Sequence, residues 1–358
     1  MAILSVPGRT ELAGNHTDHQ HGRVLASAIH LNIRAEFTAN SDSVIRLRGQ
    51  HYGNLSIPLS QLAVRPAEFG TPVSLARGVA AAFQDLGLSI GGFDAVTSAT
   101  LPIGIGLSSS AAFSVLIARI LNVLYNGGNV EDVVLARAAH TAEKVHFGKP
   151  SGVTSQLVCA LGHTVYIDLK TGEIERIEGD FAEMGLAMCL VATGGTHDGL
   201  NTSYARIPAD MKYIANLFDE GVLADVDPEE FRAKGWDSAN RPVRRAMHFF
   251  NENERVPKMR DALKARDGET YLRLMNESGR SSEELLNNIV TSTTDDTRLL
   301  EGLEESARLL EGRGAWRVHG GGFAGCVQAL MPQDYYPVYR SEMEKRFGPG
   351  SCIPIHLI

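Results

Sequence analysis

The sequence predicts an α/β chain of two lobes, and three observations carry that expectation. Short β-like runs alternate with longer helical patterns from end to end. The 358 residues, with an ordinary apolar fraction, fill two cores of usual domain size more readily than one. From Pro228 to Gly312 the composition shifts to charged, helix-forming sequence with amphipathic spacing. A boundary between 180 and 190 gives lobes 1–185 and 186–358, with a cleft between them as the default place for a ligand.

In order, the run Phe93 to Thr100 reads as a strand feeding the segment LPIGIGLSSSAA, Leu101 to Ala112. Ala111 to Tyr125 is apolar on nearly every side and predicts a buried helix. A second helix spans Glu131 to His146 and stops near Gly148 and Pro150, and Gly152 to Leu161 suits a third. Thr164 to Leu169 and Leu186 to Thr193 read as strands, the second unbroken enough for a sheet interior. Val243 to Phe250 and Leu272 to Ile289 belong to a helical layer on a sheet. Ala315 to Val318, Cys326 to Met331 and Cys352 to Ile358 supply closing strands around a helix from Tyr335 to Arg346.

The net charge of -8, with no dense cluster of Lys and Arg, gives no field to gather polyanions, so nucleic acid is not an expected partner. The start lacks a basic stretch followed by an apolar one, and nowhere do eighteen apolar residues run together. The expectation is a cytoplasmic protein without a membrane partner; a monomer is favoured, with the oligomeric state left open. Cys159, Cys189, Cys326 and Cys352 are far apart without C-x-x-C pairing, which disfavours structural zinc and disulfides.

Chemistry concentrates in two segments. In Leu101 to Ala112, Gly104 and Gly106 allow a tight turn and close backbone approach, and the next helix's first N–H groups and positive dipole end face the loop. Ser108, Ser109 and Ser110 add hydroxyls and a possible oxygen ligand for a cation. The competing reading is that Ser109 or Ser110 merely caps the helix; one serine suffices for that, so phosphate binding is preferred. There is no G-x-x-x-x-G-K-[ST]. In Pro7 to Gly22, Arg9, Glu11, Asn15, His16, Asp18, His19 and His21 crowd one glycine-punctuated turn with little to build a core from. A metal site from His16, Asp18, His19 and His21 has suitable ligand types, but neighbours this close seldom converge on one tetrahedral centre.

These segments resemble the galactokinase family. Pro7, Gly8, Arg9, Gly14, His16 and Asp18 match P-G-R-x-N-x-x-G-E-H-x-D-Y; the loop before Ala112 is similar to P-x-G-x-G-L-S-S-S-A; and VHGGGFAGC, Val318 to Cys326, is similar to T-G-G-G-F-G-G-C. Further similarity at Ala142-Glu143, around Tyr204 and at Met275 to Ser278 extends it over nearly the whole chain. The resemblance implies the two-lobed GHMP kinase fold, with an N-terminal lobe like domain 2 of ribosomal protein S5 and a ferredoxin-like C-terminal lobe. It also implies transfer of a phosphoryl group from ATP, with Mg²⁺, to the anomeric hydroxyl of a sugar such as galactose.

By the same resemblance, Ser110 and Glu143 hold Mg²⁺, where sequence alone would make Glu143 a solvated helix carboxylate. Gly104, Gly106, Leu107, Ser108 and Ser109 wrap the α- and β-phosphates. Gly320, Gly321 and Gly322 bring backbone close to sugar or phosphate, against the plainer reading of a strand-to-strand turn. Asp18 takes two ring hydroxyls, His16 the exocyclic end, Gly152 a backbone contact, Tyr204 another hydroxyl, and Arg9 the reacting oxygen.

Three departures follow. The family's G-I-M-D-Q supplies an Asp base, and here Gly152 to Gln156 reads GVTSQ, with Ser155 in its place. Serine has no basicity near neutral pH. A slow kinase using direct attack, a sugar or nucleotide sensor without catalysis, and a serine that is not the native residue all remain open. Asn15 stands where the family has Glu, at the sugar's O6, which motivates tolerance of a C6-oxidised sugar such as galacturonate. Glu11 replaces the family's Asn and His19 its Tyr.

Overall fold

The computed structural model describes residues 1–149, 151–194, 200–290 and 296–358. Its contacts divide into two units, Met1–Thr10 with Ala28–His163 and Ile358, and Glu11–Ser27 with Thr164–Leu357. The lobe boundary expected at 185/186 falls inside the second unit, because the N-terminal strands run through both; 1–185 and 186–358 stay a proposal about lobes.

In the first unit, β1 (Ala2–Ala13) enters and β2 (Arg23–Ala39) leaves. The far half of β2 pairs antiparallel with β5 (Phe93–Ala99), β5 pairs parallel with β3 (Val44–Gly49), and β3 turns back onto β4 (Gly53–Pro58). The helices are α1 (Pro72–Asp85), α2 (Ser109–Tyr125), α3 (Asp132–Thr141) and α4 (Thr154–Leu161). α2 packs against the other three, as its nearly continuous apolar surface requires, and Ala111 to Ala118 are all buried.

The second helix differs from expectation. It is α-helical only to Thr141 and then widens into a π-helical turn, Ala142–His146, which carries Glu143. Such turns are uncommon and concentrate at functional sites. The third helix starts at Thr154, which leaves Gly152 in the preceding loop and sets Ser155 in the first helical turn. Pro150, expected to help end the second helix, lies outside the described residues.

In the second unit, the near half of β2 pairs with β6 (Val165–Asp168), which turns into β7 (Glu173–Arg176). A four-stranded antiparallel sheet has the order β11 (Cys352–Ile355), β8 (Leu186–Ala192), β10 (Cys326–Pro332), β9 (Ala315–His319). α5 (Asn201–Asn216), α6 (Pro228–Ala233), α7 (Arg241–Ala265), α8 (Gly268–Ser281), α9 (Arg298–Leu310) and α10 (Tyr336–Phe347) complete it. The helix expected over 272–289 ends as α8 and continues into a second π-helical turn, Ser282–Leu286.

One core of this unit gathers Phe231 of α6 and Phe249 and Phe250 of α7 with Ile207 and Met211 of α5. The other buries Val191 and Val327 of the sheet against Leu299, Leu303, Tyr339 and Met343 of α9 and α10. The four cysteines are buried and none forms a disulfide.

Candidate functional site

The chemistry-bearing residues of the first unit converge on the start of α2. Gly104 and Gly106 have φ of +81° and +79°, conformations that favour glycine, and Ser108 is the residue before the helix at φ +61°. Ser108 does not cap α2 with its side chain. Its hydroxyl instead donates to the Oγ of Ser155 at 3.1 Å, and Ser110 donates to Oε1 of Glu143 at 2.7 Å. Side-chain capping therefore does not account for these two serines.

Arg9 ties the first motif to this loop. Its backbone N–H donates to the Leu107 carbonyl at 3.2 Å, and its Nη1 donates to the Gly106 carbonyl at 3.1 Å. Nε and Nη2 both donate to Ser155 Oγ, at 3.1 and 2.8 Å. A planar fork of this kind matches a carboxylate or phosphate, and here it meets a single hydroxyl oxygen.

Glu143 is 1 % exposed. Beyond Ser110, its carboxylate accepts from Lys149 Nζ at 3.4 Å, Ser151 Oγ at 3.2 Å and the Gln156 amide. Burial pushes its carboxyl up, but Lys149 and the three neutral donors outweigh that and hold it below its usual value. Glu143 is thus a buried carboxylate with a hydroxyl at hand, not the solvated one that sequence alone favoured.

The second unit assembles the rest of the signature around the loop from β9 to β10. Three successive carbonyls of that loop accept from three different side chains. Gly320 takes Asn15 Nδ2 at 2.8 Å, Gly321 takes His16 Nε2 at 3.1 Å, and Gly322 takes the Tyr204 hydroxyl at 2.6 Å. Gly322 has φ +81°, and a Cβ there would lie 2.0 Å from the Asn288 carbonyl oxygen. The strand-to-strand turn is what the segment forms; the glycines also let it meet the signature.

His16 Nε2 must carry the proton that it gives to Gly321. Nδ1 then accepts from His19 Nε2 at 3.2 Å, and His19 Nδ1 accepts from the Gln20 amide at 3.4 Å. Burial first, and then His19, lower the His16 imidazole to about 3, so the ring is neutral. Asp18 Oδ1 accepts the His19 N–H at 2.8 Å, and among the described residues its Oδ2 takes no hydrogen bond.

Sequence reasoning missed the support beneath the signature. Glu252 of α7, 0 % exposed, accepts the N–H groups of Gly14 and Asn15 at 3.1 and 3.4 Å and the Ser278 hydroxyl at 2.8 Å, and pairs with Arg255. His248 donates through Nε2 to the Asn15 carbonyl at 2.9 Å. The signal was present: Arg245, His248, Glu252 and Arg255 follow helical spacing on the side that also buries Phe249, Val256 and Met259.

Residues 74–163 match the GHMP kinases N terminal domain, and residues 2–38 match the galactokinase galactose-binding signature. The structure is similar to Lactococcus lactis galactokinase complexed with galactose, with a TM-score of 0.86 at 21 % identity over 99 % of this chain and 93 % of that one. It is similar to Methanococcus jannaschii mevalonate kinase, with a TM-score of 0.70 at 19 % identity over 100 % and 98 %. It is also similar to Streptococcus pneumoniae phosphomevalonate kinase in complex with phosphomevalonate and AMPPNP, at 0.67 and 16 % over 100 % of both chains. At these identities the likeness establishes the fold. The chain therefore has the GHMP kinase fold, carries that family's N-terminal domain and bears the galactose-binding signature of galactokinases.

Proposed function

We propose that the protein is an ATP-dependent sugar 1-kinase whose substrate is galactose or a close neutral hexose. The observation that carries this reading is Arg9, a signature residue that also binds the phosphate loop at Gly106 and Leu107 and holds Ser155. Phosphoryl transfer is mostly positioning and charge neutralisation, and a fixed guanidinium beside the loop serves both.

Ser110 and Glu143 fit Mg²⁺: a hydroxyl and an ionised carboxylate, both hard oxygen donors, already touch. When bound, the ion would neutralise phosphate charge. Gly104, Gly106, Leu107, Ser108 and Ser109 would cradle the phosphates of ATP, with α2 supplying first-turn N–H groups. In the second unit, the Oδ2 of Asp18 is an acceptor for sugar hydroxyls, and losing such a partner discriminates strongly because a charge is left unpaired. Tyr204 and His16 shape the site through Gly322 and Gly321; Gly152 would offer a backbone contact.

No carboxylate base stands at Ser155. Transfer would then proceed by direct attack of the anomeric oxygen on the γ-phosphorus, with ADP leaving and the hydroxyl proton passing to a phosphate oxygen. Arg9 would stabilise developing charge, and the rate would be reduced by the ~10²- to 10⁴-fold that a base contributes. The second reading, a sugar and ATP sensor, is motivated by Ser155, which has no basicity to offer at the position of the family's Asp. An ADP-release assay over galactose, galactosamine, galacturonate and other hexoses separates them. Galactose-dependent ADP release supports the kinase; tight sugar binding without turnover supports the sensor.

A further inference from the structure

Two of the departures from the galactokinase pattern are one event in space. Glu11 stands for Asn and Asn15 for Glu, and the two side chains are hydrogen-bonded to each other, Asn15 Nδ2 to Glu11 Oε1, at 3.2 Å. The amide and the carboxylate have exchanged places, and the local charge is unchanged.

Asn15 is 1 % exposed and fully engaged. Its two amide protons go to Glu11 and the Gly320 carbonyl, and its Oδ1 accepts from Asn288 Nδ2 at 3.2 Å and Ser282 Oγ at 3.4 Å. It has no donor left for a ligand. The Glu11 side chain, by contrast, keeps 15 % of its surface exposed. On β1, half-buried Glu11 lies between buried Thr10 and Leu12, so its side chain is on the less buried face of the strand. Arg317, fully buried, fixes the Glu11 backbone carbonyl at 2.9 Å and lies 3.5 Å from its carboxylate.

We infer that Glu11, oriented by Asn15 and Arg317, is the specificity-determining carboxylate of the sugar site, selecting a neutral hexose through its hydroxyls and rejecting a uronic acid. This rests on the sugar-kinase reading and refines its substrate class. This inference opposes the galacturonate tolerance expected from Asn15, because a carboxylate stands at residue 11 beside it.

The test is calorimetric titration of the full chain with galactose and with galacturonate, for the wild type, Glu11→Gln, Asn15→Glu and the double exchange Glu11→Asn/Asn15→Glu, with thermal melting of each as a folding control. Glu11→Gln is isosteric. It should weaken galactose about tenfold or more, since a charge-assisted hydrogen bond becomes a neutral one, and should strengthen galacturonate. A purely structural loss would weaken both. Asn15→Glu should fail by setting two carboxylates together, and the double exchange should return galactose affinity to within about threefold of wild type. Glu11→Gln binding galactose like wild type, or the double exchange doing no better than Asn15→Glu, overturns the inference and leaves the kinase reading standing. A wild type that binds no hexose overturns both.

Discussion

Arg9 and Ser155 form a two-to-one hydrogen bond, in which Nε and Nη2 of the guanidinium, at 3.1 and 2.8 Å, converge on one serine Oγ. The Ser108 hydroxyl joins them at 3.1 Å. Three donors around a single neutral oxygen describe a place suited to an anion. Ser155→Asp should fill it with a carboxylate that Arg9 keeps ionised and that can accept the sugar hydroxyl's proton. The expected result is a rise in kcat of ~10²-fold or more, measured by steady-state ADP release; an unchanged kcat would show that no base is needed here.

Ser110 and Glu143 are tied at 2.7 Å on different elements, the first turn of α2 and the π-helical turn after α3. Ser110→Ala removes a neutral oxygen donor and leaves the carboxylate. Activity should survive at high Mg²⁺ while the Mg²⁺ concentration for half-maximal rate rises about tenfold. Glu143→Gln should lower kcat at every Mg²⁺ concentration. Equal Mg²⁺ dependence in Ser110→Ala and wild type would remove Ser110 from the metal site.

Glu252 is ionised without solvent. Burial opposes that, but Arg255, His248 and Arg317 bring its carboxyl down to about 2. Glu252→Ala would strand Arg255, the Ser278 hydroxyl and the N–H groups of Gly14 and Asn15. Breaking one side of such a buried pair costs about 3–5 kcal/mol, read by urea unfolding. A change under about 1 kcal/mol, typical of an exposed pair, would mean that this network does not hold the signature turn.

Acid should destabilise the protein in a defined window. The folded His16 imidazole takes up a proton only near 3, whereas the unfolded one does so near 6.5. Its contribution is therefore full above 6.5 and is lost as pH falls from 6.5 towards 3. His248, lowered chiefly by burial, acts in the same direction. Glu252 adds a loss that starts below its ordinary 4.5 and runs towards 2. Tm should fall between pH 7 and pH 4, and His16→Asn should flatten the part between about 6.5 and 4.5. An unchanged slope in the variant would show that His16 is not the group being titrated.

Much of this was legible in the sequence because it is local. The apolar surface of Ala111 to Tyr125 dictates a buried helix, and the spacing of Gly104, Gly106 and the three serines marks a loop before it. What escaped depends on distant partners. Nothing near Glu143 announces a π-helical turn, and the pairing of Ser110 with Glu143 was expected from the family resemblance alone, since neither residue's own neighbourhood announces it. Glu252 and His248 reach Asn15 across more than two hundred residues of chain. Glu11 and Asn15 read as two separate departures, since only the turn at Gly14 shows them to be partners.

The central claim is that a GHMP kinase fold lacking a carboxylate at residue 155 still transfers phosphoryl groups to a hexose. Phosphorus NMR of the wild-type protein incubated with ATP, Mg²⁺ and galactose tests it most directly. The account predicts ADP together with a new phosphate monoester coupled to the anomeric proton, formed slowly and faster with Ser155→Asp. ADP with inorganic phosphate only, or no turnover by either protein while galactose binds tightly, would contradict it.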